Sequence, residues 1–210
     1  LIPLQRPDAL NAMNPRLVDA LRDHFRSLPR DREPRVVVLR GAGSNAFSAG
    51  ADLKELLAHQ TLDERRRHFD GVARVIRAMH ELGVPVIARV QGFALAGGCG
   101  LAVAADFTIA AESAVFGLPE IDLGLLPMVV SAPILRATGS RKVVLDLVLS
   151  GRRVAADEAL RLGLATRVVP DARLDAAVTH VPHELSLDLV ADPHAPVAVD
   201  AARHVDRDIG

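Results

Sequence analysis

A run of small residues, Val90-Gln-Gly-Phe-Ala-Leu-Ala-Gly-Gly-Cys-Gly-Leu-Ala-Val-Ala-Ala-Asp106, constrains this chain more than any other feature. Glycine and alanine at this density let one backbone approach another, or approach a bound molecule, with no side chain in between. The run follows Val84-Pro-Val-Ile-Ala-Arg-Val90, a β-branched stretch that reads as a strand, and Gly97 falls where a helix begins. The first turn of a helix carries N–H groups without intrahelical partners, so Gly97 can present a donor to a ligand. Tight helix packing is the other use of such glycines. The spacing is not that of a dinucleotide fingerprint, and no phosphate-binding P-loop occurs in the chain.

A second segment has the same character. Phe47-Ser-Ala-Gly-Ala-Asp-Leu-Lys-Glu55 lies between the strand Val36-Val-Val-Leu39, with Gly41 and Gly43 after it, and a helix expected over 52–59. Gly50 allows a close turn, and Ala51 offers its N–H almost unscreened. The plainer reading is a strand-to-helix connection with Asp52 as its cap. Two such N–H groups converging on one point would form an oxyanion hole. Beyond the small-residue run stands Glu120, in Phe116-Gly-Leu-Pro-Glu120, a candidate acid that in isolation reads as an exposed turn carboxylate. Asp106 is expected to be structural, and Glu112 and Asp122 to be surface acids.

Strand and helix signals alternate through most of the chain. Leu1–Leu4 reads as the end of a strand. Asn14-Pro15 is the N-cap and first residue of a helix carrying Leu17, Leu21, Phe25 and Leu28 on one face. A long helix is expected over 62–82, with Phe69, Val72, Ile76 and Met79 inward and Gly83 at its end. Short strands are expected at Phe107–Ala110 and Ala114–Phe116. Helices are expected at 131–138 and at 140–149, the latter capped by Ser140, and at 155–162, with a strand at Ala165–Val169. This is the pattern of an α/β fold. After residue 172 it weakens, and Pro182, Pro193 and Pro196 interrupt the remainder.

Composition narrows the function. The 210 residues are 50% apolar and carry a formal charge of −1, enough for one domain with a substantial core. A near-neutral balance argues against nucleic acid as a partner. Arg65-Arg66-Arg67 follows Asp63 and Glu64 and reads as a solvated helix face. The single cysteine, Cys99, excludes an internal disulfide and is expected to be a buried small hydrophobe. No apolar run approaches the ~18–20 residues of a membrane span, and no charged-then-apolar leader opens the sequence, so a cytoplasmic location is expected. The eight histidines show no metal-ligand spacing, and no metal is expected.

Taken together, these segments resemble the crotonase superfamily, the enoyl-CoA hydratases and isomerases. Arg6-Pro-Asp-Ala-Leu-Asn-Ala-Met-Asn14 is similar to that family's opening motif, and Phe47–Lys54 to its first signature. Pro85 to Asp106, with Phe116-Gly-Leu-Pro-Glu-Ile121 and Leu123-Gly-Leu-Leu-Pro127, is similar to its second, and Gly151 to Pro170 to its closing helix and strand. The likeness spans about residues 1–175. It implies a spiral of ββα units, a homotrimer or hexamer, acyl-CoA substrates of the kind met in fatty acid metabolism, and no cofactor beyond the coenzyme A of the substrate. By position, Ala51 and Gly97 supply the two oxyanion donors. Ala49, Ala51, Asp52, Leu53, Lys54 and Gly97 line the CoA path, with Lys54 near the nucleotide end, and Glu120 is the catalytic acid/base.

The chain also departs from the family. Two-glutamate hydratases carry a first acid where this chain has Gly100, and a single remaining acid suits double-bond isomerisation better than hydration. Met128-Val-Val-Ser-Ala-Pro133 stands where many members have a Gly-Gly-Thr-Gln run. A core domain of 1–172 and a divergent or truncated segment of 173–210 are expected. Two other functions remain open on these grounds: a non-catalytic acyl-CoA-binding or assembly subunit, and an acyl-CoA hydrolase or decarboxylase on the same scaffold.

Overall fold

The structure, a computed structural model, describes residues 1–28, 35–58 and 61–181. Expectations for position 59 and for residues 182–210 fall outside them. Five parallel strands form the larger sheet: β1 (Ile2–Leu4), β2 (Val37–Gly41), β4 (Val86–Val90), β6 (Phe107–Ala111) and β9 (Arg167–Val169), in spatial order β1-β2-β4-β6-β9. A second sheet stacks β3 (Ala46–Ser48), β5 (Phe93–Leu95), β7 (Val115–Gly117) and β8 (Arg153–Ala155) in that order, with only β8 antiparallel to its neighbour. The helices are α1 (Pro15–Ser27), α2 (Leu53–Ala58), α3 (Leu62–His80), α4 (Gly97–Val103), α5 (Met128–Thr138), α6 (Arg141–Ser150) and α7 (Ala156–Leu162). Each repeat gives one strand to the larger sheet, the next to the smaller, and then a helix: β2-β3-α2, β4-β5-α4, β6-β7-α5. Repeating that step advances the chain as the expected spiral of ββα units.

Local chemistry explains the element ends. Asn14 accepts a hydrogen bond from Leu17 N–H at 2.9 Å, with Pro15 following it. Thr61 and Glu64 form a reciprocal capping box at the start of α3, and Ser140 caps α6 as expected. The buried stripe of α1 is Val18, Leu21 and Phe25, while Leu17 and Leu28 are only partly buried. On α3, Val72, Ile76 and Met79 are buried and Val75 joins them; Arg65, Arg66 and Arg67 are exposed.

Both faces of the larger sheet are covered, as expected of its continuous apolar runs. Val37 and Leu39 face the main core. Val36 and Val38 pack with Ile87 and Ile109 against Leu174, Val178 and Val181. Residues 174–181 are helical, tied to β4 by an ion pair between Asp175 and Arg89. Packed structure thus continues past residue 172. Asp106 is structural: its Oδ2 accepts Val86 N–H at 2.7 Å, joining the strand starts. Glu112 and Asp122 are exposed.

Four elements differ from the sequence reading. The segment around Phe47, taken as loop, contains β3, and β5 and β8 were likewise unread. These three strands are too short and too mixed to show an alternation, and sheet pairing defines them. Helix α5 starts at Met128 and accommodates Pro133 in its interior, so a helix start at 131 is too late.

Candidate active site

Ala51 is placed by a short parallel bridge to Met13. Met13 N–H donates to Gly50 O at 2.7 Å, and Asp52 N–H donates to Met13 O at 3.1 Å. In such a bridge the residue between the two bonds turns its own N–H away from the partner, which leaves Ala51 N–H free to serve the opposite side. Gly50, at φ +91°, lies directly on the start of α4. A carbon at its Cβ position would stand 2.6 Å from Ala96 Cβ and 3.0 Å from Gly97 N. The two expected donor segments are therefore in backbone contact. Among the described residues neither Ala51 N–H nor Gly97 N–H is donated to another protein group.

Polar side chains hold this arrangement. Asn11, fully buried, donates to Ala42 O at 2.9 Å and Ala46 O at 2.8 Å. Ser48 Oγ donates to Asn11 O at 2.9 Å and accepts Gly50 N–H at 3.2 Å. Gln91 Nε2 donates to Gly41 O at 2.9 Å. Gly98 packs so closely that a carbon there would lie 2.3 Å from Ser48 O. Ala96, the residue before α4, sits at φ 52°, ψ −128°, a conformation that costs a non-glycine residue about 1–3 kcal/mol. The sequence reading missed the roles of Asn11, Ser48 and Gln91. Their signal was available as polar side chains inside otherwise apolar or glycine-rich motifs.

Glu120 lies in a 3-10 turn, Pro119–Leu123, three residues beyond Gly117. Gly117 O accepts Ala96 N–H at 2.9 Å, which anchors the turn beside the start of α4. The negative charge of Glu120 reaches Cys99: burial first, and that charge in addition, push the fully buried thiol up to about 12. Cys99 is thus the inert apolar residue expected. Glu120 Oε2 is buried with no hydrogen-bond partner among the described residues. Burial pushes this carboxyl up to about 7, opposed only by its own backbone N–H. A carboxylate with one oxygen unpartnered and poised near neutrality can take and return a proton.

The remaining expected site residues divide. Asp52 pairs with Arg6 at 2.8 Å, and its Oδ1 accepts Lys54 N–H at 3.1 Å. Burial would raise its carboxyl, but Arg6 and the backbone N–H groups of Glu55 and Lys54 hold it below its ordinary value. Its side chain therefore braces the turn. Leu53 and Lys54 are exposed, and Ala49 is half-buried. Gly100 is buried, and the volume a side chain would need there is taken by Val130 of α5.

An apolar cavity of about 220 Å³ adjoins these segments, lined by Leu53, Leu56, Leu57, Phe69, Leu123 and Leu125 with Arg65 at its edge. Larger cavities of about 430 and 560 Å³ lie by α1 and α3 and by the start of β4. Neither is lined by Ala51, Gly97 or Glu120. Among the described residues no group of three metal-ligating side chains occurs, and no helix is long and apolar enough to cross a membrane.

The family model for enoyl-CoA hydratase/isomerase matches residues 1–191. A probable enoyl-CoA hydratase of Rhizobium meliloti is 42% identical over 202 residues, covering 95% of this chain and 77% of the relative. A carnitinyl-CoA dehydratase of Salmonella arizonae is 40% identical over 209 residues, covering 98% and 76%. The crystal structure of an enoyl-CoA hydratase from Mycobacterium smegmatis superposes with a TM-score of 0.83 at 36% identity, over 87% of this chain and 70% of that one. An enoyl-CoA hydratase from Bacillus anthracis gives 0.82 at 34%, over 88% and 71%.

Proposed function

The chain belongs to the enoyl-CoA hydratase/isomerase family of the crotonase superfamily, an acyl-CoA enzyme of lyase or isomerase type, and within it we propose a one-carboxylate enzyme that moves a double bond along an enoyl-CoA. The thioester oxygen accepts hydrogen bonds from Ala51 N–H and Gly97 N–H. Glu120 removes a proton from C2 of a cis-3-enoyl-CoA, and the electron pair passes onto the thioester oxygen as an enolate held by those donors. Collapse of the enolate draws the same proton from Glu120 onto C4, giving the trans-2-enoyl-CoA and regenerating the carboxylate. No atom is gained or lost. The single observation that carries this reading is the buried, unpartnered Glu120 Oε2 at a carboxyl poised about 7, beside two segments whose N–H groups are uncommitted.

The segment Ala49 to Lys54 follows the CoA path, with Lys54 at the nucleotide end and coenzyme A entering only as part of the substrate. The leucine-lined cavity takes the acyl chain. A homotrimer or hexamer and a cytoplasmic location belong to the same proposal; exposed Leu126 and Met128 support assembly, and the lone Cys99 fits a reducing compartment.

The test is the Glu120→Gln variant, assayed for turnover of a cis-3-enoyl-CoA and titrated calorimetrically with a saturated acyl-CoA. Retained binding with turnover lowered by about 10²–10⁴-fold is expected. Binding without turnover in the wild type as well would instead identify a non-catalytic subunit. Release of free coenzyme A or carbon dioxide would identify a hydrolase or decarboxylase.

A further inference from the structure

Gly100 has ordinary helical bonding: its N–H donates to Ala96 O at 3.2 Å, and its carbonyl accepts Ala104 N–H at 3.0 Å. It is not among the glycines at positive φ, so its backbone does not demand glycine. The demand is for space. A carbon at its Cβ position would stand 2.1 Å from Val130 Cγ1, 2.2 Å from Val130 Cβ and 3.3 Å from Val130 Cα. None of these is the free end of a flexible chain, since valine branches at Cβ and is stiff in a helix.

Val130 is itself fixed. It is 3% exposed and lies one turn before Ile134, which is fully buried on the same face of α5. The start of α5 is held by Ser131, whose N–H and hydroxyl both donate to Pro127 O, at 3.0 and 2.8 Å. Ala96 N–H, at the head of α4, donates to Gly117 O at 2.9 Å, three residues before Glu120. Gly100, bonded to Ala96 O, thus lies on the turn of α4 that is tied to the segment carrying the carboxylate.

We infer that Val130 determines which reaction this site performs, by filling the volume that a side chain at position 100 would need and so holding the site to one carboxylate with an apolar wall. A water fixed for addition needs two to four polar partners, and the Val130 side chain supplies none. Proton transfer between two substrate carbons needs no such water. The inference deepens the proposed isomerisation and rests on it for its chemistry, while its steric part stands on the contact alone.

The experiment has two readouts. Thermal melts of Gly100→Ala, Val130→Ala and the double variant form a cycle. Gly100→Ala is expected to melt lower by about 4 °C or more, and most of that loss is expected to vanish in the Val130→Ala background. The hydration-to-isomerisation ratio is then measured with trans-2- and cis-3-enoyl-CoA of equal chain length. Gly100→Glu combined with Val130→Gly is expected to shift it at least tenfold toward hydration. Val130→Ser, which places a hydroxyl on the wall, carries the same ratio test should the glutamate variant fail to fold. Wild-type melting of Gly100→Ala, an undiminished loss in the Val130→Ala background, or an unchanged ratio in a folded variant overturns the inference. A wild type that turns over neither thioester overturns the reaction-determining role together with the proposed reaction, while the melting cycle still reports on the steric closure separately.

Discussion

Gly50 lies flat against Gly97: a side-chain carbon on Gly50 would stand 3.0 Å from Gly97 N and 2.6 Å from Ala96 Cβ. Two strand-to-helix turns from distant parts of the chain share one point because neither has a side chain in the way. The first prediction follows from this contact. Gly50→Ala forces the turns apart and places alanine at φ +91°, so kcat falls by about 10²–10³-fold through loss of an aligned oxyanion donor. Steady-state kinetics on the folded variant check it; an unchanged kcat would remove Ala51 from the oxyanion site.

In the proposed isomerisation Glu120 acts first as a base, so its ionised form is the active one. With a carboxyl raised to about 7, kcat/KM should climb with pH and level off above an inflection near that value. A profile flat from pH 5 to 9 would contradict this.

The same shift has a stability consequence. The folded carboxyl titrates near 7 and the unfolded one near about 4.3. Between these values the folded protein keeps a proton that the unfolded chain has released, so stability falls as pH rises through the window and is lowest above it. The penalty is on the order of 3–4 kcal/mol. Glu120→Gln, which cannot ionise, should therefore melt several degrees above wild type at pH 8 and together with it below pH 4. Equal melting temperatures at pH 8 would sink the account of burial.

Leu123 is 54% exposed yet shares its turn with Glu120 and lines the apolar cavity. Burying such a side chain against substrate contributes about 1.5–3 kcal/mol. Leu123→Ser should raise KM for a six- or eight-carbon enoyl-CoA about tenfold or more, with kcat little altered. Equal effects on a four-carbon substrate would show that Leu123 does not meet the acyl chain.

Much of this fold was legible where local chemistry decides it. Asn14-Pro15 and Ser140 are capping signals that need no tertiary context, and the β-branched runs of β2 and β4 announce buried strands. The short strands β3, β5 and β8 were not legible; Ala46–Ser48, for one, is a strand only through its pairing with β5. The helix at 174–181 was obscured by the weakening pattern, although Leu174, Val178 and Val181 carry the helical spacing that buries them.

The candidate site was legible only in its parts. Glu120, Ala51 and Gly97 were readable as residue types in motif positions. The Asn11–Ser48 bonds that hold the Gly50 turn were not, since they join segments far apart in sequence. Gly100 marked a missing acid, but only the packing of α5 on α4 reveals that Val130 occupies its place.

The central claim is that a single carboxylate, Glu120, moves a proton between substrate carbons. The most direct measurement offers wild-type enzyme a cis-3-enoyl-CoA and a trans-2-enoyl-CoA in parallel, with products followed by NMR. The account predicts conversion of the first to the trans-2 isomer at least tenfold faster than hydration of the second. Rapid formation of the 3-hydroxyacyl-CoA, with little isomerisation, would contradict it.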